Sequence, residues 1–311
     1  MNETGTRVIA LGFFDGVHIG HGALLHRTRE RATQLGLRAA AMSFDSHPNA
    51  LVFGEAVRLI NTMDDRARLM RRLYGIDDVI FAHFDRAMME MPWEEFLGDF
   101  LVRENGAVHL VCGHDFRFGY RGEGDAEKLR TYCAAHGLGC DVIPPVTIDG
   151  RTVSSTYIRA LIAEGRMEEA ERFLGHAHLL SGPVRHGYGR GGKIDMPTAN
   201  LAFPAGVLVP AYGVYAAEAE VNGTRFAAIV NVGIHPTVGA LDAPVLEAWI
   251  QGDCGDLYGK EMTVFLYHQI RGERKFPSME ALKEQVLRDT EEAMDYLRTR
   301  GEGVCRNCCT N

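Results

Sequence analysis

Arg7-Val8-Ile9-Ala10-Leu11-Gly12-Phe13-Phe14-Asp15-Gly16-Val17-His18-Ile19-Gly20-His21 is the stretch that decides the fold class. A short, β-branched apolar run stops at glycine, and a helical pattern then resumes through Leu24, Leu25 and a charged run to Leu35. That reads as strand, loop, helix. The cycle recurs outward from it: strand over Leu37–Phe44, helix over Thr62–Leu73, strand over Asp78–Phe84, helix over Pro92–Glu104, strand over Val108–Gly113, helix over Ala126–Ala135 and strand over Asp141–Val146. Strands alternating with helices imply parallel pairing through right-handed crossovers, so residues up to about 150 are expected to form an open α/β sheet. Ligands of such a sheet lie beyond the carboxyl ends of its strands.

Ser154-Ser155-Thr156 has the chemistry of a helix start, and a further helical stretch over Met167–Leu174 ends at Gly175. From Leu179 the pattern changes to glycine, proline and alternating strands: Gly213–Val221, an Asn222-Gly223 hairpin turn, Phe226–Val232, Val245–Ile250 and Met262–Ile270. This predicts a small antiparallel β-barrel closed by an amphipathic helix from Ser278 to about Leu297, with its apolar stripe at Leu282, Val286, Met294 and Leu297. The expected division is 1–178, 179–300 and a mobile cysteine-containing tail, 301–311.

With 311 residues, 46% hydrophobic and 24% charged, the chain is long enough for two cores and has the composition of a folded protein. A net charge of -8 and a pI near 5.9 argue against nucleic acid as a partner, since a duplex-binding face must be basic. Small phosphorylated ligands are compatible with it, because a pocket can be locally basic. The seven cysteines include Cys305, Cys308 and Cys309 crowded in the tail; their odd number and irregular spacing are no disulfide framework. No apolar run reaches membrane-spanning length and no apolar signal segment follows Met1, so the expected location is cytoplasmic, with no membrane partner.

In the opening loop, His18 and His21 sit three apart where a helix begins, so both imidazoles can face one ligand. Free N–H groups and the dipole at a helix N-terminus favour phosphate, and two histidines add donors for an oxygen that gains charge during group transfer. His-x-Gly-His alone is a weak signal. It gains weight from Val153-Ser154-Ser155-Thr156-Tyr157-Ile158-Arg159, a hydroxyl cluster at a second helix start with an arginine one turn on. Further along, Gly182–Lys193 interleaves glycines with basic side chains, a composition suited to a loop folding over phosphates.

These segments, with Ser43-Phe44-Asp45-Ser46-His47-Pro48 and Gly113-His114-Asp115-Phe116-Arg117-Phe118-Gly119, resemble the adenylyltransferase module of bacterial bifunctional riboflavin kinase/FAD synthetases over residues 7–175. The resemblance implies a nucleotidylyltransferase-type, Rossmann-like parallel-sheet domain. In it Gly12, Phe14, Asp15 and Gly16 shape the ATP loop, and His18, His21, Ser154, Ser155, Thr156 and Arg159 hold ATP phosphates. Asp115, Phe118 and His47 would lie near flavin or the reacting phosphates. From spacing alone, Asp115 and Phe118 read equally as a turn residue and a core aromatic.

Residues 180–298 resemble the riboflavin kinase module of the same family. Pro197-Thr198-Ala199-Asn200 matches its nucleotide-and-magnesium motif, so Thr198 and Asn200 are the implied Mg2+ ligands. Glu247 falls at the family's catalytic carboxylate, a base for deprotonating an alcohol. Gly187, Gly189 and Arg190 in the glycine-rich loop, and Asn231, Asp256, Tyr258 and Arg271 in later signatures, are the implied nucleotide and flavin contacts. The chain departs from the family at Asp195-Met196, where Gly-Phe is usual, and at Trp249 and Gly252-Asp253 after Glu247. The resemblance thus implies ATP-dependent conversion of riboflavin to FMN and adenylylation of FMN to FAD. The alternatives are an adenylyltransferase with an impaired kinase, a non-catalytic flavin-binding regulator, and transfer to another small acceptor.

Overall fold

The computed structural model describes residues 6–54, 56–185, 198–235, 243–252 and 254–301. The chain divides into two compact units between Ser155 and Thr156. The expectations about Gly187, Gly189, Arg190, Asp195, Met196, Asp253 and the cysteine tail lie outside the described residues.

The first unit holds five parallel strands in the order β3-β2-β1-β4-β5, namely β1 (Arg7–Leu11), β2 (Arg38–Phe44), β3 (Asp78–Ala82), β4 (Ala107–Gly113) and β5 (Gly139–Ile143). Its helices are α1 (Ile19–Leu35), α2 (Pro48–Phe53), α3 (Met63–Tyr74), α4 (Arg86–Glu90), α5 (Trp93–Glu95) and α6 (Ala126–Ala135); α5 runs on as a π-helix over Phe96–Glu104. Strands β1 and β2 are buried on both faces, which is why their sequences are apolar runs without alternation. On one face Ile9, Leu11, Met42 and Leu110 pack with Phe96, Leu97, Leu101 and Leu129. Helix α1 lies along β1, β2 and β4. The strand expected over Asp141–Val146 starts two residues earlier, at Gly139, where it pairs with His109 of β4. A two-stranded ribbon, β6 (Thr147–Ile148) and β7 (Arg151–Thr152), is too short to have a period and was not anticipated.

The second unit opens with α7 (Ser155–Ala163) and α8 (Met167–Leu174), followed by β8 (His178–Pro183), β9 (Ala199–Ala202), β10 (Gly213–Val221), β11 (Thr224–His235), β12 (Ala243–Ile250) and β13 (Glu261–Gly272). All six strands are antiparallel in the order β8-β13-β10-β11-β12-β9. The sheet nearly closes where the Arg185 N–H donates to the Asn200 carbonyl at 2.9 Å. Inside lie small and branched residues at alternate positions, among them Ala217, Ala219, Val230, Leu246, Ala248 and Val264. Asn222 (φ 50°) and Gly223 (φ 79°) take the left-handed pair of angles that joins β10 to β11 with the strands' own twist.

Helix α9 (Met279–Arg300) is capped by Ser278, whose Oγ accepts the Ala281 N–H at 3.2 Å, and packs on β10, β11 and β13. Its most buried residues are Asp289, Ala293 and Leu297, whereas Leu282, Val286 and Met294 are half-buried. The expected stripe therefore faces the sheet, and Asp289 and Ala293 join Leu282, Val286 and Leu297 on that face, Asp289 held there by an arginine on β13.

Candidate active sites

The chain winds from β1 to β2 and β3 on one side and returns through β4 and β5 on the other, so the switch point of the sheet lies between β1 and β4. The loop after β1 and the loop after β4 both leave the sheet there, which is where an open α/β sheet leaves its crevice. Phe14 (φ 58°) and Val17 (φ 42°) are left-handed, as is Gly16. For a β-branched residue such as Val17 this costs about 1–3 kcal/mol and persists only if the surroundings hold it.

The holding contacts are visible. The Asp15 carboxylate, buried, accepts the Ile60 N–H at 2.8 Å, and Ser155 Oγ donates to the Asp15 carbonyl at 2.9 Å. Ser43 Oγ donates to the Phe13 carbonyl at 2.7 Å, and Gly12 N–H to the Met42 carbonyl at 3.2 Å. Asp15 and Ser155, expected around the nucleotide, thus direct polar atoms at the loop itself.

His18 is the N-cap of α1: its Nδ1 accepts the His21 N–H at 3.2 Å, which places the proton of the neutral ring on Nε2. The His21 ring stacks on it with centroids 3.6 Å apart and planes 12° apart, with the Phe14 ring edge-on at 5.2 Å. Gly20 permits this, since a Cβ there would come within 3.1 Å of the His18 ring. Burial, the neighbouring His18 and the Arg66 guanidinium hold the His21 imidazole well below its ordinary pKa. Its Nδ1 is buried with no hydrogen-bond partner among the described residues. His47, in the turn after β2, meets the Phe13 ring edge at 4.7 Å.

Ser154 immediately precedes α7, Thr156 lies in its first turn and Arg159 one turn on, with Arg159 Nη1 donating to Thr156 Oγ1 at 3.4 Å. Asp115 is exposed after β4 and, with His114, Arg117, Asp125 and Arg130, lines an open cavity of 370 Å³. Phe118 is a core aromatic, packed against Phe116 and Phe96 at 5.6 and 5.7 Å.

In the barrel, register brings the second set together. Glu247 on β12 stands opposite Asn200 on β9 and opposite Asn231 on β11. Opposite residues share a face, so these side chains line one row on the side away from Leu246 and Ala248 of the core. Thr198 Oγ1 donates to Glu247 Oε1 at 2.8 Å. Asn200 is buried, and its Nδ2 has no partner among the described residues. Trp249, two residues beyond Glu247, lies on the same face of β12.

A residue not anticipated from the sequence joins this row. A Cβ on Gly233 would meet Glu273 Oε1 at 2.2 Å and Asn231 Nδ2 at 3.5 Å, so the missing side chain makes room for the Glu273 carboxylate beside Asn231. Glu273 stands in the run Arg271–Phe276, which matches a family signature but in which Arg271 is the expected contact. Asp256 and Tyr258 share a turn in which Asp256 Oδ1 accepts the Tyr258 N–H at 3.1 Å. Arg271, an expected ligand contact, grips buried Asp289 through Nε and Nη2 at 3.0 and 2.8 Å and so clamps α9 to β13.

Together these features define a two-module protein: a nucleotide-binding type of α/β sheet with a double-histidine loop at its switch point, then a barrel with a carboxylate-amide row. Comparison with known proteins specifies it further. Residues 1–157 match the FAD synthetase family model and residues 174–297 the riboflavin kinase family model. The bifunctional riboflavin kinase/FMN adenylyltransferase of Listeria monocytogenes is 33% identical over 292 residues, covering 93% of this chain and 92% of that protein. The Bacillus subtilis protein of the same name is 32% identical over 298 residues, covering 94% and 93%. A solved structure described as a macrolide-efflux protein from Streptococcus pneumoniae superposes with TM-score 0.80 at 28% identity, covering 93% of this chain and 94% of that one. The chain belongs to the bacterial bifunctional riboflavin kinase/FMN adenylyltransferase family. No described helix is long and apolar enough to cross a membrane.

Proposed function

We propose that this chain makes both flavin nucleotides: the barrel phosphorylates riboflavin to FMN with ATP, and the α/β unit joins FMN to the adenylyl group of a second ATP, releasing pyrophosphate. The observation that carries the reading is the occurrence, in one chain, of both family signatures, each with its own polar constellation. The working halves are 1–178 and 179–300, and the small-molecule partners are riboflavin, FMN and ATP.

In the kinase, Glu247 takes the proton of the terminal ribityl hydroxyl as the hydroxyl oxygen attacks the γ-phosphorus and the bond to the β–γ bridging oxygen breaks, ADP leaving; Thr198, hydrogen-bonded to Glu247, orients the carboxylate. Magnesium suits the same place: Thr198 and Asn200 offer hard oxygens beside Glu247, while the unpartnered Nδ2 of buried Asn200 is a donor that suits a phosphate oxygen. When bound, magnesium would neutralise phosphate oxygens. Asn231, Asp256 and Tyr258 are assigned to the surrounding ligand contacts.

In the adenylyltransferase the nucleophile is a phosphate oxygen of FMN, already ionised, so no protein base is needed. His18 and His21 act as donors to the α-phosphate oxygens as charge builds on them, while Ser154, Thr156 and Arg159 receive the remaining phosphates. His47 and Asp115 are assigned near the flavin or the reacting phosphates.

Purified protein given riboflavin, ATP and magnesium should yield FMN and FAD on chromatography. Formation of neither sinks the reading; FAD from supplied FMN but not from riboflavin would favour an impaired kinase, the reading that Trp249 on the Glu247 face makes specific.

A further inference from the structure

Arg66 on α3 is fully buried, and arginine is almost never so unless an anion accompanies it. Among the described residues no carboxylate lies within ion-pair reach of it. Its contacts are neutral: Nη1 donates to the Phe13 carbonyl at 2.8 Å and to Ser43 Oγ at 3.0 Å, and Nη2 donates to the Phe44 carbonyl at 3.2 Å. The guanidinium also lies over the rings of Phe13 and Phe81, at 4.6 and 5.1 Å, and its Nε has no acceptor. The acceptors sit at or just beyond the carboxyl ends of β1 and β2. The Phe13 carbonyl immediately precedes the left-handed Phe14 of the double-histidine loop.

We propose that Arg66 is a positioning residue for adenylyl transfer, a buried cation that ties the loops after β1 and β2 together and keeps a positive charge with no contacting carboxylate at the base of the His18–His21 loop for a polyphosphate. The inference rests on the adenylyl-transfer reading. A purely structural arginine would be neutralised by a contacting carboxylate, as Arg271 is by Asp289. Here the balancing acids, Asp15 and Asp45, act only at longer range, and burial pulls the guanidinium down to about 10, still fully charged near neutral pH. In a site screened from water such a fixed charge stabilises developing negative charge far more than it would in solvent. The same charge reaches His21, stacked on the His18 ring, and helps keep it neutral until phosphate arrives.

Two variants of the full chain separate charge from clamp. Each is assayed for FAD formation from FMN across ATP concentrations, for thermal melting, and for the His21 proton-resonance midpoint, identified as the resonance lost in H21Q. Arg66→Met should lower kcat/KM for ATP about 100-fold, the scale of one transition-state donor, and raise the His21 midpoint. Arg66→Lys keeps the charge but cannot reach all three acceptors; it should leave the midpoint low and lower turnover about tenfold. An unmoved midpoint in folded R66M, or unchanged turnover in R66K, overturns the proposal. Should R66M fail to fold, R66K alone decides it: a loss of turnover with a low midpoint supports it, and wild-type turnover or a raised midpoint ends it. Wild-type chain that makes no FAD refutes the adenylyl reading while the midpoint arm still reports on Arg66.

Discussion

Replacing Glu247 by glutamine should remove riboflavin phosphorylation and leave FMN adenylylation intact. The amide has the size of the carboxylate, and its Oε1 can still accept the Thr198 hydroxyl now held at 2.8 Å, so the row formed with Asn200 and Asn231 stays in place. What is lost is the ability to take a proton. General-base assistance contributes about 10²–10⁴ in rate, and at about 1.4 kcal/mol per decade this is ~3–6 kcal/mol of barrier. Two companion changes divide base from scaffold. Glu247→Asp keeps the base but pulls it back by one methylene, and a displacement near 1 Å can cost about 100-fold. Thr198→Ala removes one charge-assisted hydrogen bond at a half-buried group, about 1 kcal/mol, hence about fivefold. FMN and FAD are quantified by chromatography from riboflavin in one reaction and from FMN in another. Riboflavin phosphorylation at the wild-type rate in E247Q, or an equal loss of adenylylation, refutes the reasoning.

The Asp141 carboxylate on β5 accepts from Arg27 (2.9 Å), Arg31 (2.8 Å) and His109 (2.8 Å), stapling α1 to the sheet edge. The two arginines and His109 hold it well below the usual carboxylate range against the opposing effect of burial. Its folded pKa is lower than the unfolded one, so its contribution is complete above about pH 4 and fades as pH falls below that. With the arginines about one-third exposed, D141N should cost only ~2 kcal/mol, roughly 4–8 °C of melting temperature, and should flatten the acid limb seen in wild type; unchanged melting at neutral pH refutes the staple. Arg271→Gln and Asp289→Asn should each destabilise the barrel by about 3 kcal/mol and not add in the double variant. Loss of kinase activity in R271Q with an unchanged melt would instead make Arg271 a ligand contact. Because His21 is neutral at pH 7, ATP binding should take up a proton, read by calorimetry in two buffers of different ionisation enthalpy; uptake that persists in H21Q assigns it elsewhere.

Much of the molecule was legible because it is written locally. Strand, glycine loop and helix follow one another within about twenty residues, so the apolar runs of β1 and β2, the helix starts at Thr62 and Ser278, and the Asn222-Gly223 turn all announce themselves. The double-histidine loop and the Thr198–Asn200 segment are likewise contiguous, which is why they carry a family resemblance. Strands β8 and β9 are short and edge-paired, with too few residues to establish a period. The apolar stripe of α9 was legible too; what it did not show is that buried Asp289 shares that face.

The sequence by itself determined two successive modules, the α/β order of the first, the antiparallel character of the second, and the segments that bear His18, His21, Thr198, Asn200 and Glu247. Tertiary structure alone decided what the marked residues pack against. Phe118 turned into the core, Arg271 took Asp289, Asp15 and Ser155 secured the loop, and Arg66, one arginine among several on α3, became its buried support. Such choices depend on partners tens to more than a hundred residues away, as with Ser155 and Asp15, and a long-range contact has no local period or motif to read. Even the row of Thr198, Asn200, Asn231 and Glu247 exists only because barrel register sets β9, β12 and β11 side by side.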